Sequence, residues 1–213
     1  MCGISNIDWY ESDVVGDAEG KVVESIAGLF AAFGLSASAG LNAYVPLLIV
    51  ALMARFTDWI TLSETWEPLT SWWTIAVLVI LGVIEFFVDK VPAVNHVNDA
   101  IQTFIRPTAG AVLFAASTSA VTNIHPVLAI IAGILVSGSV HVAKSAAVRP
   151  TVTATTAGIG NVPVSVAEDV TATVISILAV VLPVAIAALI IMFTAFVVWW
   201  LWRRANVERA TKN

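Results

Sequence analysis

Apolar residues run with little interruption over 25–56, 74–88, 107–121, 127–142 and 170–202, and polar segments separate the runs. At about 1.5 Å per residue, a helix of roughly 20 apolar residues crosses a hydrocarbon core of roughly 30 Å. The pattern therefore predicts an all-α fold, a polytopic transmembrane helix bundle of about five spans. Residues 1–24 read as an acidic solvent-exposed tail, 25–202 as a single transmembrane domain and 203–213 as a basic tail.

Two interruptions stand out. The run 25–56 is longer than one untilted crossing needs, and Gly34, Ser36, Ser38 and Gly40 lie in its middle, with Pro46 after them. Two readings fit: one tilted or kinked helix whose small residues admit a neighbour closely, or two half-helices joined by an unwound piece. The stretch Arg149–Asp169 (RPTVTATTAGIGNVPVSVAED) is built from Thr, Ser, Gly and Pro between two long apolar runs. Irregular backbone at membrane depth survives only where protein or a wet cavity satisfies its N–H and C=O groups. Paired breaks are thus expected to be broken or re-entrant segments that frame a binding site.

The connectors are less informative. Residues 57–73 gather Trp59, Trp66, Trp72 and Trp73, as expected of amphipathic rings at headgroup level. In 90–106, Val94, Val97, Ile101 and Ile105 share a helical face, which predicts a short amphipathic helix before the apolar run restarts at Pro107. The last run, 170–202, exceeds a simple crossing, so it tilts, kinks at Pro183 or projects from the bilayer. Arg203 and Arg204 after Trp199, Trp200 and Trp202 bias the C-terminus to the cytoplasmic side.

Composition agrees with the pattern. The chain of 213 residues is 59% hydrophobic and 12% charged, where a soluble domain carries about 25% charge. The formal net charge of −5 hides an acidic start and a basic end. One short basic tail after an apolar run does not suggest nucleic acid as a partner. Cys2 is the single cysteine, so no internal disulfide is expected. The polar start, without a basic or apolar core, predicts no cleavable signal.

Candidate chemistry follows from the breaks. A half-helix that begins after a break points unpaired N–H groups and its positive dipole end at the cavity. Ser36, Ser38, Asn42, Thr155, Gly158 and Asn161 are expected to supply polar lining. Arg106 and Arg149 would add planar forks suited to phosphate or carboxylate, although an arginine at a helix start also snorkels to the headgroups. Glu85 and Asp89 are placed to carry coupling charge, because ionisable groups inside spans are costly and pair or line a pathway. Glu168 and Asp169 read as first-turn acids of the last helix. His96, His125 and His141 lack metal-ligand spacing, so no metal and no cofactor is expected. Neither a GxSxG elbow nor a phosphate loop is present.

Some pieces recur. Ala39-Gly40-Leu41-Asn42 with Val45-Pro46 echoes Ala157-Gly158-Ile159 with Asn161-Val162-Pro163, and Ile105-Arg106-Pro107-Thr108 echoes Val148-Arg149-Pro150-Thr151. In GLSASAGLNAYVPLL, EFFVDKVPAVNHVNDAIQTFIRPTAGA and TAGIGNVPVSVAED, in that order, the chain resembles DUF4126, a bacterial family of multi-pass membrane proteins of unknown function. The likeness runs from about Ile26 to Pro183 and implies the bacterial inner (cytoplasmic) membrane as location, with no substrate attached. The broken helix with its small-residue element is also similar in architecture to the re-entrant hairpins of undecaprenyl-phosphate phosphatases and polyprenyl-phosphate flippases. The phosphatase family's Gly-rich Ser-Arg-Ser pattern is missing here.

The leading expectation is a small inner-membrane transporter or lipid-carrier flippase for an anionic, phosphate- or carboxylate-bearing substrate. Its partners would be membrane lipids, an anionic lipid or a small anion, in a homo-oligomer or a larger membrane complex. One rival is a non-catalytic accessory subunit or scaffold of such a complex, suggested by the small size and the tryptophan-rich last helix. Another is a membrane-embedded hydrolase assembled from Glu85, His141, Arg149 and a hydroxyl.

Overall fold

The structure, a computed structural model, describes the backbone of residues 7–89, 92–119 and 124–210. Side chains are described for 22, 25–89, 98, 100–118, 124–182, 192, 196, 199, 202 and 203. Among these residues every regular element is helical: α1 (Ile7–Leu41), α2 (Tyr44–Phe56), a 3-10 turn (Glu67–Thr70), α3 (Trp72–Val88), α4 (Pro92–Ser119), α5 (Pro126–Ala143), a π turn (Lys144–Val148), α6 (Arg149–Thr156) and α7 (Asn161–Ala210). Two stretches, Pro126–Thr156 and Asn161–Leu182, are long and apolar enough to cross a membrane, and Ser25–Leu41, Tyr44–Phe56 and Trp72–Val88 are shorter apolar helices.

The inner half of α1 is the axis of the bundle, packed on α4, α5 and α7, while α2 lies between α3 and α7. Close approach depends on missing side chains. A Cβ on Gly110 of α4 would stand 2.3 Å from the Cβ of Ser137 on α5, and one on Gly133 would stand 2.4 Å from the Gly110 carbonyl oxygen. On α1, a Cβ at Gly34 would meet Ala179 at 2.7 Å and one at Gly40 the Ser137 carbonyl oxygen at 2.5 Å. The glycines of the first apolar run therefore sit inside a continuous helix and serve packing, as small residues do between membrane helices. Leu35, Ala39, Val50, Ala109, Leu113 and Val180 fill the space between them.

The break in this run comes later, at Asn42 and Ala43, and the reason is local. Asn42 Oδ1 accepts from the N–H groups of Tyr44 and Val45 at 3.1 and 3.0 Å, capping the open start of α2. Pro46 falls in the first turn of α2, where a missing N–H costs nothing. Residues 1–24 were expected to form a solvent-exposed tail, and α1 begins inside that segment, at Ile7; residues 1–6 lie outside the described residues.

Two other elements are longer than their sequence pattern predicts. The amphipathic piece 90–106 and the apolar run after it form one helix, α4, which continues through Pro107. Nearby carbonyls find hydroxyl donors instead: Thr108 Oγ1 donates to Phe104 O at 2.7 Å and Ser137 Oγ to Arg106 O at 2.7 Å. Likewise α7 starts at Asn161, inside the stretch expected to be irregular. What remains of that irregularity is a turn at 157–160, where Ala157 has φ 52° and Gly158 φ 87°.

The helices are polar inward and apolar outward. Ile80, Val83, Ile84 and Phe87 of α3 are exposed beside buried Glu85, and Leu128, Ile131 and Leu135 of α5 are exposed on the helix that buries Ser137, His141 and Lys144. At the α2–α3 end, Trp59, Trp72 and Trp73 are exposed, and the Arg55 guanidinium lies 4.2 Å over the Trp72 ring.

Candidate functional site

The buried polar faces converge where α1 breaks. Three cations and three carboxylates from four helices and the π turn meet there with side chains at most 10% exposed. Arg106 of α4, fully buried, places Nη2 2.9 Å from Glu85 Oε1 and 3.7 Å from Asp89 Oδ2, both at the end of α3. Arg149 Nη2 lies 3.2 Å from the same Asp89 oxygen and 3.3 Å from Glu168 Oε2 of α7. Lys144 Nζ completes the chain at 2.7 Å from Glu168 Oε2. Asp89 thus bridges the two arginines, and Glu168 bridges Arg149 and Lys144.

The end of α1 joins the same network. The last carbonyls of a helix lack N–H partners and carry the negative end of its dipole. Lys144 Nζ donates to Leu41 O at 3.0 Å, and Arg106 Nη1 reaches Gly40 O at 3.5 Å. The break therefore supplies acceptors for two cations that the carboxylates alone do not surround. Asn42 turns its other atom to α7 and donates from Nδ2 to Asp169 Oδ1 at 3.0 Å.

His141 faces Arg106 on the other side. Arg106 Nη1 and His141 Nδ1 are 3.5 Å apart, and His141 Nε2 is 3.2 Å from Thr103 Oγ1. A guanidinium can only donate, so a hydrogen bond here uses the lone pair of His141 Nδ1.

The π turn explains how Lys144 and Arg149 reach one carboxylate. In an α-helix, residues five apart lie roughly 140° apart around the axis. An i→i+5 turn stacks them instead, and here the Arg149 N–H bonds to Lys144 O. Pro150 follows and cannot donate back to the preceding turn. The Arg-Pro-Thr echo is real at this level. In both copies the arginine enters the network, the proline removes a helix N–H, and the threonine hydroxyl donates four residues back, Thr108 to Phe104 O and Thr151 to Ala147 O.

Of the residues expected at a site, Arg106, Arg149, Glu85, Asp89 and Asn42 come together here. Ser36 and Ser38 are buried beside them but are used for packing: Ser36 Oγ donates to Gly110 O at 2.8 Å, and Ser38 Oγ shares a 2.8 Å bond with Ser176 Oγ. Thr155, Gly158 and Asn161 lie elsewhere, at the α6–α7 turn. Thr155 donates to Thr151 O, Gly158 has open space around its Cα, and Asn161 pairs with Thr153. Counting along α6 puts this turn roughly 10 Å beyond Arg149. The two irregular segments do not face each other directly; the base of the α6–α7 hairpin, and not its tip, meets the break in α1. His96 and Asp99, also considered at the membrane margin, have side chains outside the described residues.

Lys144, Glu168 and Asp169 were not expected at the centre, and His141 only in the hydrolase alternative. Glu168 and Asp169 read as helix-start acids because α7 was taken to begin after them. The signal that finds Glu168 is spacing: Ser165, Glu168, Ala172, Ser176 and Val180 recur at three or four residues, and all are buried. Ala129, Gly133, Ser137 and His141 of α5, with Lys144 at the start of the π turn, repeat the same pattern.

Three polar atoms inside the network have no hydrogen-bond partner: Glu85 Oε2, Glu168 Oε1 and Arg106 Nε. Buried carboxylate oxygens and guanidinium N–H groups rarely go unpartnered, so these positions are places where a proton, water or ligand atom would be accommodated. Among the described residues no group of three or more His, Cys, Asp and Glu side chains has metal-binding geometry.

Residues 29–204 match the family described as Domain of unknown function (DUF4126). No curated protein and no solved structure matches the chain. The chain belongs to the DUF4126 family.

Proposed function

We propose that this protein is a small multi-pass membrane transporter of an oxyanion, either a free carboxylate or phosphate or the phosphate headgroup of a lipid, and that the buried ion network is its transport site. The observation that carries the reading is the network itself, six ionisable groups held almost without solvent beside a helix break, with buried atoms of Glu85, Glu168 and Arg106 that have no hydrogen-bond partner. Ion pairs of this kind seldom stabilise a bundle better than apolar residues of the same volume. Inside membrane proteins such groups mark pathways for ions and substrates. A break that aims helix-end carbonyls at cations belongs to the same design.

The placement suits transport. With Trp72 and Trp73 at one headgroup region, Glu85 lies roughly 20 Å along α3. It is then in the far half of a roughly 30 Å core. The polar α6–α7 turn lies about 10 Å further on, at the opposite headgroup level, so the hairpin carries polar groups down to Arg149 and Glu168. In this reading the first apolar run and the α6–α7 hairpin are the two broken segments, and the bacterial inner membrane is the location.

The test is reconstitution into vesicles with two arms. One follows entry of labelled inorganic phosphate and succinate; the other follows leaflet exchange of a fluorescent phosphatidic acid, which separates a free oxyanion from a lipid-borne one. Protein-dependent movement in either arm, reduced at least tenfold by Arg149→Gln, is the expected result. Absence of movement in both arms overturns the reading.

A second reading, an accessory subunit, draws on one observation. Met192, Phe196, Trp199 and Trp202 are at least half exposed on the last part of α7, a row of large apolar side chains that a partner could cover. Extraction in mild detergent as a stable stoichiometric complex, with both vesicle arms silent, would favour it.

A further inference from the structure

The charge balance of the network suggests how an anion enters it. Resting on the transport reading, we propose that the substrate oxyanion, entering as a monoanion, replaces the Glu168 carboxylate between Lys144 and Arg149, and that its one negative charge is matched by one proton taken up on the displaced carboxylate. The protein would then be an electroneutral proton–oxyanion symporter.

Glu168 is the carboxylate best placed to yield. Its Oε2 alone takes both Lys144 at 2.7 Å and Arg149 at 3.3 Å, while Oε1 has no partner. A point donor beside a guanidinium fork is a receptor for carboxylate or phosphate in general, and in this state a side chain of the protein fills it. This end of the network is also the more open one: the side chains of Arg149 and Glu168 are 10% and 9% exposed, against 0% and 1% for Arg106 and Glu85. Among the described residues Glu85 has no cation but Arg106 within ion-pair distance, so it cannot leave without losing that counter-charge.

The proton follows from counting. Among the described residues of the network, Arg106, Lys144 and Arg149 bring three formal positive charges, and Glu85, Asp89 and Glu168 three formal negative ones. The described groups that face Glu168 are Lys144 from the π turn, Arg149 from α6 and, across Arg149, Asp89 from α3. Asp169 follows it on α7 and turns to Asn42. None of these offers a spare positive charge. An incoming monoanion with Glu168 still ionised would leave four carboxylate or phosphate charges against three cations in a site that excludes water, which buried charge does not tolerate. Protonating the displaced Glu168 restores neutrality, and the open Oε1 position is where that proton fits without breaking an existing bond.

The experiment uses vesicles holding the protein and a trapped pH dye, with succinate, inorganic phosphate or short-chain phosphatidic acid offered outside at a mildly acidic pH where each is chiefly the monoanion. Membrane potential is set by potassium and valinomycin. The interior should acidify as the anion enters, at a rate that changes less than twofold between zero and −100 mV. Glu168→Gln, a fixed mimic of the protonated side chain, should retain anion-for-anion exchange and lose net acidification at least tenfold. Uptake without acidification, uptake whose rate follows the potential, or a Glu168→Gln protein that still acidifies the lumen would each overturn symport and leave transport standing. If Glu168→Gln does not assemble, the wild-type proton and voltage readings decide alone. If no anion moves with wild-type protein, the transport reading fails together with this one.

Discussion

Arg106 and Arg149 occupy equivalent Arg-Pro-Thr positions, yet the network makes them unequal. Among the described residues Arg106 is the only cation within ion-pair distance of Glu85, at 2.9 Å, and both side chains are essentially inaccessible. Coulomb attraction at that distance is about 6 kcal/mol at an effective dielectric of about 20. Desolvation cancels most of it while the pair is intact. Arg106→Gln removes the attraction and keeps the penalty on Glu85, so it should destabilise the protein by about 3–5 kcal/mol. Arg149→Gln strands neither Asp89 nor Glu168. Asp89 keeps Arg106 at 3.7 Å and Glu168 keeps Lys144 at 2.7 Å, so the loss should stay near 1–2 kcal/mol, that of charge-assisted hydrogen bonds to groups that remain paired. Removing both members of the inner pair, Glu85→Leu with Arg106→Leu, should recover most of what either single change loses. The assay is equilibrium unfolding in mild detergent, followed by circular dichroism or tryptophan fluorescence, with a double-mutant cycle on Glu85 and Arg106. Equal losses for the two arginines, or a double variant as unstable as the sum of the singles, would refute the partner assignment.

The same unfolding assay checks three further expectations. Gly110→Ala and Gly133→Ala should each lose about 1–3 kcal/mol from forced separation of α4 and α5, because the new Cβ would stand 2.3 and 2.4 Å from its neighbour. Gly138→Ala, whose nearest contact is Pro107 Cγ at 3.8 Å, should be neutral or slightly stabilising. Asn42→Ala should cost about 1–2 kcal/mol by uncapping α2, and Asn42→Asp should cost more, since it sets a second carboxylate against Asp169. Ala157→Gly should raise stability by about 0.5–1 kcal/mol, because Ala157 holds φ 52° at an exposed turn where a Cβ is unfavourable; an unchanged or lower stability would argue against that backbone.

How far the sequence reaches depends on what each residue competes with. The helical class was legible because apolar runs of this length satisfy their backbone internally in any apolar surrounding. Arg106, Arg149, Glu85 and Asp89 were legible as a set because charge next to such runs is rare and costly. The location of the first break was not. Gly34 and Gly40 are the residues usually associated with irregular backbone, but their lack of a Cβ is spent on approach to Ala179 and Ser137. The residue that ends the helix is Asn42, through an amide that caps the next helix and holds Asp169. The α6–α7 hairpin misled in the opposite direction. Its Thr- and Gly-rich composition suggested a lining, whereas those hydroxyls bond within the hairpin itself, as Thr156 Oγ1 does in accepting from the Gly160 N–H.

The remaining difference concerns direction. Amphipathic reasoning developed for water assigns the polar stripe of a helix to the outside, and by that rule His141, Lys144 and Glu168 become surface or helix-end residues. In this bundle the rule is inverted. Exposed Leu135 and Val142 share α5 with buried Ser137, His141 and Lys144, and exposed Val170 and Val174 share α7 with buried Glu168 and Ser176. An apolar exterior over a charged interior is stable only where the surroundings are themselves apolar. Read with that inversion, the three- and four-residue spacing of polar positions on α5 and α7 identifies the interior directly. It also points to Lys144 and Glu168, two of the six charged groups that the transport reading needs, without recourse to the glycine-rich segments that first drew the eye.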